Sequence, residues 1–518
     1  MESKVKEAMS NQTSDNNKRI AKNTLYMYMR MGITMLVQLY TSRVVLNILG
    51  ITDYGIYNIV GSVIVMFTFI SGPLGTATQR FLNFELGKKG VNNINTVFNL
   101  SLYCYVALSI IIFLLIEVGG VWYINNKMNL PVERMDAAMF AFQLSLIAFI
   151  LQLIKTPFES LVIANERMSY YAYISILEVL LKLGNAFSLM FICIDKLKLY
   201  AINQLIISII IFLCLQVYCH RQFVYIRIAK VWDKGIFKSL LSFSSWSLFG
   251  SVATMSANQG NNLLLNYFYG VTVNAAVGVA DQVSASVNQF VSNFQVAYRP
   301  QIVKYYASND YVALRQLIVN TSKYSYLLLF MLACPVMFNI PFLLKIWLGN
   351  VPQYANEFVV LNLIYMLLET LSAPMWMTVQ ATGKIRNYQL IISSVICLNI
   401  ILSFIFLYLG ASPLIVMEIK CSLDLVYLAI RLLFMKSKVH LSIMKFMKEV
   451  IWAILPISLF TVIPLYAIKA LRLSELSYFL VSIVTFFLLY FPCTYYFVMG
   501  EKERSKVLSF IKKRISKQ

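Results

Sequence analysis

Long apolar segments alternate with short polar connections along almost the whole chain. About fourteen of them lie between residues 23 and 499, and each has the roughly 20 apolar residues that a bilayer crossing needs. A backbone in lipid must satisfy its own hydrogen bonds, so each segment is predicted to be a helix. The pattern predicts an all-α polytopic membrane protein, with its first span over 23–47 and its second over 52–77.

The connections divide this series of helices. The longest basic connection, residues 220–238, has six spans before it and six spans of comparable pattern after it. An even number of spans per half predicts two parallel six-helix lobes, related by an axis along the membrane normal. The predicted organisation is a loose N-terminal tail (1–22), an N-lobe (23–219), the basic linker (220–238), a C-lobe (239–436), an accessory two-span hairpin (437–499) and a basic tail (500–518).

A similar short sequence opens the second span of each half. The run GITDYGIYNIV begins at Gly50, and the run GVTVNAAVGVA begins at Gly270. Each follows an apolar helix that ends in Leu-Asn, and each precedes a helix-terminal arginine about 30 residues on, Arg80 or Arg299. A sequence pattern repeated between the two halves of a chain built from apolar spans favours a duplicated transporter.

Composition and charge fit a membrane location. Of 518 residues, 59% are hydrophobic and 13% are charged, too little polar surface to cover a soluble protein of this length. With the N-terminus inside, roughly thirty of the 44 Lys and Arg residues fall on the cytoplasmic side and about seven outside. This bias predicts that both termini are cytoplasmic. It also explains the net charge of +21 without a nucleic-acid partner.

A polar stripe runs through the eighth span. Asn274, Asp281, Asn288 and Gln295 recur every seven residues, so they share one helix face. Asp281 lies about 15 Å along this helix from Gly270, near the middle of a bilayer about 30 Å thick. An ionisable group at that depth faces a bundle interior or a water-filled cavity. Asp281 is therefore predicted to face the space between the lobes and to couple transport to an ion.

The first and seventh spans also have polar faces. Arg30, Thr34 and Gln38 share a face of the first span, and Asn258 and Asn262 share a side of the seventh. For a single Asn or Thr, a hydrogen bond to a neighbouring helix is the simpler interpretation. Arg30 differs because a guanidinium needs water or a partner, unless it snorkels to the membrane surface.

Charged residues occur in pairs within two other spans. Glu178 and Lys182 are four residues apart, as are Lys420 and Asp424, so each pair can be neutralised on its own helix. This spacing favours a structural role for both pairs. Glu369 has no such partner in its helix and is predicted to be a second ion-coupling carboxylate.

Signatures of catalysis and metal binding are missing from the sequence. There is no GxxxxGK[ST], HExxH or GxSxG, and the longest outward connection, from Gly120 to Met135, is too short for an external catalytic domain. The eight cysteines show no CxxC or metal-ligand spacing. The sequence predicts a protein that is not an enzyme and has no cofactor, disulfide or metal site.

The opening of the chain resembles a known family. A polar-studded first helix leads into the turn pattern L-G-x-x-x-Y-G-x-Y, matched by Leu49, Gly50, Tyr54, Gly55 and Tyr57, and the run GPLGTATQRFLNFELGKKG follows. These stretches resemble polysaccharide (O-antigen, Wzx-type) flippases, which belong to the multidrug/oligosaccharidyl-lipid/polysaccharide exporter superfamily. The resemblance extends over the whole chain in span number, the 6+6+2 layout and the basic tail.

The resemblance implies a MATE-like fold and transport driven by a proton or sodium gradient. The cargo would be an undecaprenyl-pyrophosphate-linked oligosaccharide, flipped from the inner to the outer leaflet of a bacterial cytoplasmic (inner) membrane by alternating access. The implied partners are this lipid-linked oligosaccharide, membrane lipids and other polysaccharide-assembly membrane proteins. A pyrophosphate-sugar headgroup needs cationic and amide groups, for which the candidates are Arg30, Gln38, Asn258, Asn262 and Asn288. The candidates for ion coupling are Asp281 and Glu369.

Two other functions compete with this interpretation. A cation-coupled multidrug exporter of the same superfamily would be favoured by a largely apolar cavity with acidic and no basic groups. A membrane glycosyltransferase or polymerase is the third possibility, and the short outward connections weaken it.

Overall fold

The computed structural model describes residues 2–65, 67, 70–88, 91–127, 132–191, 195–471, 473–498 and 504. These residues are almost entirely helical, and no strand occurs among them. Nine helices of the described chain are long and apolar enough to cross a membrane. The prediction of an all-α, multi-pass membrane protein is confirmed.

The helices follow one another with short connections. The first part of the chain forms α1 (Glu2–Val65), α2 (Ser71–Gly87), α3 (Val91–Lys127), α4 (Met135–Ala164), α5 (Met168–Ser188) and α6 (Lys196–Gln222). The next part forms α7 (Lys234–Tyr269), α8 (Val271–Ala307), α9 (Tyr311–Leu348), α10 (Ala355–Thr382), α11 (Arg386–Tyr408) and α12 (Ile415–Val439). The short α13 (Ile443–Phe446) continues through a π-helical turn (Met447–Ile451) into α14 (Trp452–Ala470), and α15 (Glu475–Phe497) follows.

Two glycines mark corresponding junctions in the two parts. Gly50 has φ 77° and ψ 169°, a backbone conformation essentially restricted to glycine, and it divides α1 into two helical runs. Gly270, between α7 and α8, also has a positive φ, of 75°. The glycines that begin the repeated sequence thus both take a positive φ where the first helix of a half gives way to the second.

Two helix boundaries differ from the sequence prediction. Residues 2–22, predicted as a loose tail, belong to α1, because no glycine or proline among them ends the helix. The predicted second span, 52–77, is interrupted, since α1 ends at Val65 and a new helix begins at Ser71. Pro73 lies in the first turn of that new helix, where a missing backbone N–H costs no hydrogen bond.

The chain divides into two compact units, residues 1–252 with 296–310 and 380–389, and residues 253–295 with 311–379 and 390–518. In the first unit, α4 is the central helix and packs against α1, α2, α3, α5 and α6. Its buried side chains Phe142, Leu146 and Leu153 belong to the core of this unit. Polar groups on the sides of α4 that face these helices therefore lie inside a helical bundle, which decides where a site can form.

In the second unit, the predicted accessory hairpin packs along α9. The hydroxyl groups of Tyr326 on α9 and Ser458 on α14 lie 3.0 Å apart. Further along α9, Asn339 donates from Nδ2 to Oγ of Ser482 on α15 at 3.0 Å. A polar contact thus attaches each helix of the hairpin to α9.

Four long helices are absent from the group of nine that meet the length and apolarity requirements, namely α5, α7, α8 and α12. These helices carry many of the polar residues singled out from the sequence: Glu178 and Lys182, Asn258 and Asn262, Asp281 and Asn288, and Lys420 and Asp424. Such groups need partners or water inside a membrane, so a functional site is expected along these least apolar helices.

Candidate functional site

A cavity of about 240 Å³ lies inside the first unit, between α1, α4, α5 and α6. We call it the lysine cavity. Its polar lining residues are Tyr57, Ser145, Gln152, Lys155, Glu178, Lys182, Gln204 and Ser208. Two ammonium groups and one carboxylate are among them.

The two lysines of this cavity share one carboxylate. Nζ of Lys182 lies 2.7 Å from Oε1 of Glu178, and Nζ of Lys155 lies 3.7 Å from Oε2. Lys155 has a second partner in Glu159, at 3.1 Å. The ion pair between Glu178 and Lys182 predicted from their spacing is confirmed. It belongs to a larger network that joins α4 to α5.

A second cavity, of about 320 Å³, adjoins the lysine cavity and shares Phe149 and Gln152 with it. We call it the Arg299 cavity. Its polar lining residues are Ser71, Thr76, Gln79, Gln152, Thr156, Glu159, Ser160 and Arg299. Glu159 lines this cavity and its partner Lys155 lines the other, so one ion pair connects the charged walls of both.

Arg30 lies close to the same network. Its guanidinium carbon is 5.1 Å from the ring centroid of Tyr171 on α5, the arrangement of a cation–π contact. Tyr171 is in turn within electrostatic range of Glu178. Thr34, on the same stripe, donates its hydroxyl to the carbonyl of Met31 at 3.1 Å, within its own helix. The polar face of α1 is thus partly satisfied by local contacts.

In the second unit, polar groups from α7, α8, α10 and α12 form one cluster. Nδ2 of Asn362 donates to Oδ1 of Asp281 at 3.1 Å. Nζ of Lys420 donates to Oδ1 of Asn258 at 3.5 Å and lies 4.4 Å from the ring centroid of Tyr365. Lys420 is also within electrostatic range of Asp281. Two residues predicted for different roles, Asn258 and Asp281, therefore share a neighbour in Lys420.

Asp424 is buried in this cluster without a hydrogen bond. It is 1% exposed, and neither of its carboxylate oxygens has a hydrogen-bond partner among the described residues. The four-residue spacing does not produce a direct ion pair between Lys420 and Asp424 among the described residues, because the ammonium group contacts α7 and α10 instead. Arg431 donates to Oγ of Ser372. Asp424, Glu369, Lys420 and Arg431 are nevertheless close enough to interact electrostatically.

The other predicted ligands have looser surroundings. Gln38 and Asn288 are exposed, and Asn262 is half-buried. The neighbouring Asn261 is buried instead and donates to Oδ1 of Asn399 on α11. The sequence argument missed this amide pair because the two partners lie on different helices and leave no periodic pattern on either.

A third polar cluster, the Glu166 clasp, consists of Glu166, Gln301 and Lys304 in the first unit. Glu166 follows α4 with φ 58°, and its side chain is 1% exposed. Nε2 of Gln301 lies 2.8 Å from each of its carboxylate oxygens, and Nζ of Lys304 lies 2.6 Å from Oε1. The clasp ties the C-terminal end of α8 to the connection between α4 and α5. Both segments are on the predicted cytoplasmic side.

Arg80 makes a second long-range contact in this unit. It was predicted at a helix end, but α2 continues to Gly87 and Arg80 is buried within the helix. Its Nε and Nη2 donate to the carbonyl of Ala381, at 3.3 and 3.0 Å. Gly383 has φ 76°, and a Cβ there would collide with the guanidinium group. This glycine both permits the turn and gives Arg80 its space.

On the predicted outer side, Arg134 joins three elements of the first unit. It forms ion pairs with Asp53 and with Asp195, whose Oδ2 lies 2.6 Å from Nη1. Oδ1 of Asp195 also caps α6, accepting from the N–H groups of Leu197 and Lys198 at 3.0 and 3.2 Å. Burial raises the pKa of Asp195, but the hydrogen bonds from Arg134 and these N–H groups, with the Arg134 charge, outweigh it and hold the pKa below its usual value.

Acid is expected to weaken this contact. A carboxyl whose pKa is lower in the folded state stabilises the fold above its unfolded pKa, here 3.8, and loses that contribution as pH falls through the folded value. Asp195→Asn retains a capping side chain but no charge. It should lower the melting temperature in detergent near pH 7 and reduce the further fall between about pH 5 and pH 3. Asp136→Asn, at an exposed carboxylate, is the control. Equal acid sensitivity of parent and Asp195→Asn would contradict this expectation.

Comparison with known proteins finds solved structures with a similar fold. No protein-family model matches this chain, and no curated protein matches it. Among solved structures, an outward-facing multidrug resistance MATE family transporter of the MOP superfamily matches with a TM-score of 0.69 at 13% identity, over 82% of this chain and 96% of that one. A MOP superfamily transporter from Pyrococcus furiosus, described as having a binding pocket of reverse polarity, matches with a TM-score of 0.68 at 14% identity and the same coverage. The implied MATE-like fold is confirmed.

Proposed function

We propose that this chain is a secondary transporter that exports an anionic, membrane-tethered cargo by alternating access. The observation that carries the proposal is the pair of adjoining cavities, whose linings together hold three cationic side chains and two carboxylates. The MATE-like fold supplies the transporter framework. The Pyrococcus furiosus transporter indicates that pocket polarity differs among proteins of this fold.

The charge of the two adjoining cavities favours an anion, because Arg299 adds a third cation to two lysines that are balanced by Glu159 and Glu178. Lys182 has the carboxylate of Glu178 as its ion-pair partner, and Lys155 interacts with the same carboxylate. A phosphate group that entered the cavity would offer Lys182 a second anion without leaving Glu178 unpaired, because Lys155 remains beside it. Lysine is an effective point-charge ligand for phosphate, and a cationic drug would be repelled by the same groups.

A lipid-linked oligosaccharide diphosphate is the cargo that fits this chemistry. Its headgroup brings two phosphates and many hydroxyls, and amide side chains can bind hydroxyls. Gln152 and Gln204 line the lysine cavity, and Gln79 lines the adjoining Arg299 cavity. We therefore place the headgroup contacts at Lys155, Lys182 and these amides, with Arg30 beside them and not as the principal ligand.

Multidrug export is the second candidate. The cluster of the second unit contains three carboxylates, Asp281, Glu369 and Asp424, and carboxylates attract cationic drugs as well as coupling ions. The outward-facing structure named above supports this candidate more directly than a flippase, because it is a multidrug resistance MATE family transporter. In our proposal these carboxylates couple transport to a proton or sodium ion.

Lys182→Gln provides the test. In a bacterial strain that lacks its own lipid-linked oligosaccharide flippase, the parent chain should restore surface polysaccharide, and Lys182→Gln should reduce it about tenfold, equivalent to about 1.4 kcal/mol. Lys182→Arg should keep most of the activity because it retains the charge. Lys196→Gln, at an exposed lysine of the same unit, controls for lost charge.

Drug susceptibility of the same strains separates the two candidates. If the parent protects cells from cationic drugs, leaves polysaccharide unrestored, and Lys182→Gln improves drug export, then the cargo is cationic and the proposal is wrong. Protein levels are compared by immunoblot, so that lower expression is not read as lower transport.

A further inference from the structure

The basic linker between α6 and α7 is held against α3 by side-chain hydrogen bonds to its backbone. Oδ1 of Asn95 accepts from the N–H of Arg227 at 2.9 Å, and Nδ2 of Asn99 donates to the carbonyl of Arg227 at 2.9 Å. Oδ1 of Asn99 accepts from the N–H of Ala229 at 3.1 Å, and Tyr103 donates its hydroxyl to the carbonyl of Ala229 at 2.6 Å. Amide and phenol side chains of α3 thus satisfy this backbone as a neighbouring strand would. We call residues 223–233 the linker strap.

The side chains of the strap divide into a buried and an exposed set. Phe223 and Ile226 are 4% and 2% exposed, and they anchor the strap. Val224, Ile228 and Trp232 are 74%, 51% and 59% exposed. Three large apolar groups exposed within nine residues are costly in water, at about 25 cal/mol per Å² of apolar surface. They are in a favourable environment if the strap touches lipid.

The position of the strap in the chain places it at the membrane surface. It follows directly on α6, which ends at Gln222 and is long and apolar enough to cross a membrane. It leads directly into α7 at Lys234. Tryptophan is enriched at this level, because its ring is apolar and its N–H is polar. The basic residues in and beside the strap are exposed: Arg221, Arg227, Lys230, Lys234 and Lys238. Asp233 is the one acidic residue of residues 220–238, and it caps α7 by accepting from the N–H of Ile236 at 2.9 Å.

We propose that the linker strap is a docking surface for anionic phospholipid headgroups of the cytoplasmic leaflet. Val224, Ile228 and Trp232 enter the interfacial region, and Arg227 and Lys230 contact lipid phosphates. Charge complementarity favours anionic lipids as the partner. The surface has five cations, and its one carboxylate is engaged in capping α7, so it attracts the anionic lipids of that leaflet. The contact would fix the level of the strap, and through Asn95 and Asn99 that of α3, relative to the membrane.

The test is a titration of the detergent-purified full chain with phosphatidylglycerol or phosphatidylcholine, followed by melting temperature and by native mass spectrometry. Phosphatidylglycerol should stabilise the parent and remain bound, and phosphatidylcholine should not. The double variant Arg227→Gln/Lys230→Gln should bind phosphatidylglycerol about thirtyfold more weakly, which corresponds to about 2 kcal/mol at ~1 kcal/mol for each basic group. The matched control is Lys436→Gln/Lys438→Gln, which removes two exposed lysines at the end of α12.

A second measurement reports the position of Trp232 directly. In vesicles containing phosphatidylglycerol with brominated acyl chains, the parent should be quenched more strongly than Trp232→Phe, because this tryptophan lies near the lipid. Equal quenching of the two proteins would overturn the proposal. So would unchanged phosphatidylglycerol binding in Arg227→Gln/Lys230→Gln, or an equal loss in the control. Binding of an acidic soluble protein without any lipid preference would assign the surface to another partner and overturn it as well.

Discussion

If the proposed ion coupling is right, replacing Asp424 with asparagine is expected to abolish the response of the protein to protons or sodium without lowering its stability. The carboxylate is 1% exposed and has no hydrogen-bond partner in the described part of the chain. Arg431 and Lys420 are within electrostatic range, but burial and the nearby Glu369 oppose the charged form of Asp424. A proton or a monovalent cation would remove that cost. Asparagine removes the charge at nearly constant shape. The melting temperature without the ion should then be unchanged, and the ion should no longer bind because the carboxylate is gone.

The measurement does not require the cargo. The melting temperature of the purified parent should shift with sodium concentration or with pH, and Asp424→Asn should lose most of that shift. Glu369→Gln should reduce it as well, since Glu369 is within electrostatic range of Asp424. Glu418→Gln, at an exposed carboxylate of the same helix, is the matched control. An Asp424→Asn protein with the full ion response, and full gradient-driven transport, would remove Asp424 from the coupling site.

Breaking the Glu166 clasp is expected to have the largest effect on stability. The side chain of Glu166 is 1% exposed and that of Lys304 is 21% exposed, so Glu166→Ala leaves a largely buried ammonium group without this carboxylate. Removal of one partner from a buried pair typically costs about 3–5 kcal/mol. The melting temperature in detergent should fall by several degrees. The α8 end should also become more accessible to proteases, because Glu166 is its link to the α4–α5 connection.

A double-mutant cycle separates the charge from the shape of this contact. Glu166→Gln keeps the size of the side chain and one carbonyl oxygen for Lys304, so its cost should be clearly smaller than that of Glu166→Ala. Lys304→Met in the Glu166→Ala background should recover part of the loss, because no buried ammonium group then remains. Additive effects of Glu166→Ala and Lys304→Met would show that the two groups do not stabilise each other.

The fold class followed from local properties of the sequence. Each apolar segment forms a helix whatever its neighbours do, because a backbone in lipid has no other way to satisfy its hydrogen bonds. The junctions at Gly50 and Gly270 have a similarly local cause. Both glycines have a positive φ, which glycine adopts easily because it has no Cβ. The break after Val65 was harder to predict, because the apolar pattern of 52–77 contains no interruption at that point.

Spacing along one helix predicted ion pairs with mixed success. Glu178 and Lys182 do pair, because both side chains point toward the same cavity. Lys420 and Asp424 have the same spacing, yet Lys420 contacts Asn258 and the Tyr365 ring. A four-residue spacing offers a partner but does not compel the pair, and side chains of adjacent helices compete for the same ammonium group.

The sequence by itself determined the helices, their order and which of them carry polar faces, because these depend on residues close together in the chain. Only the tertiary structure decided which polar groups meet. Glu166 contacts Gln301 and Lys304, Arg80 contacts the carbonyl of Ala381, and Asn95 and Asn99 hold the linker strap, in each case across more than a hundred residues of sequence. Periodicity along a helix identifies a face but carries no information about the helix opposite it. The partner of a buried charge is set by three-dimensional packing, where desolvation makes each such contact decisive.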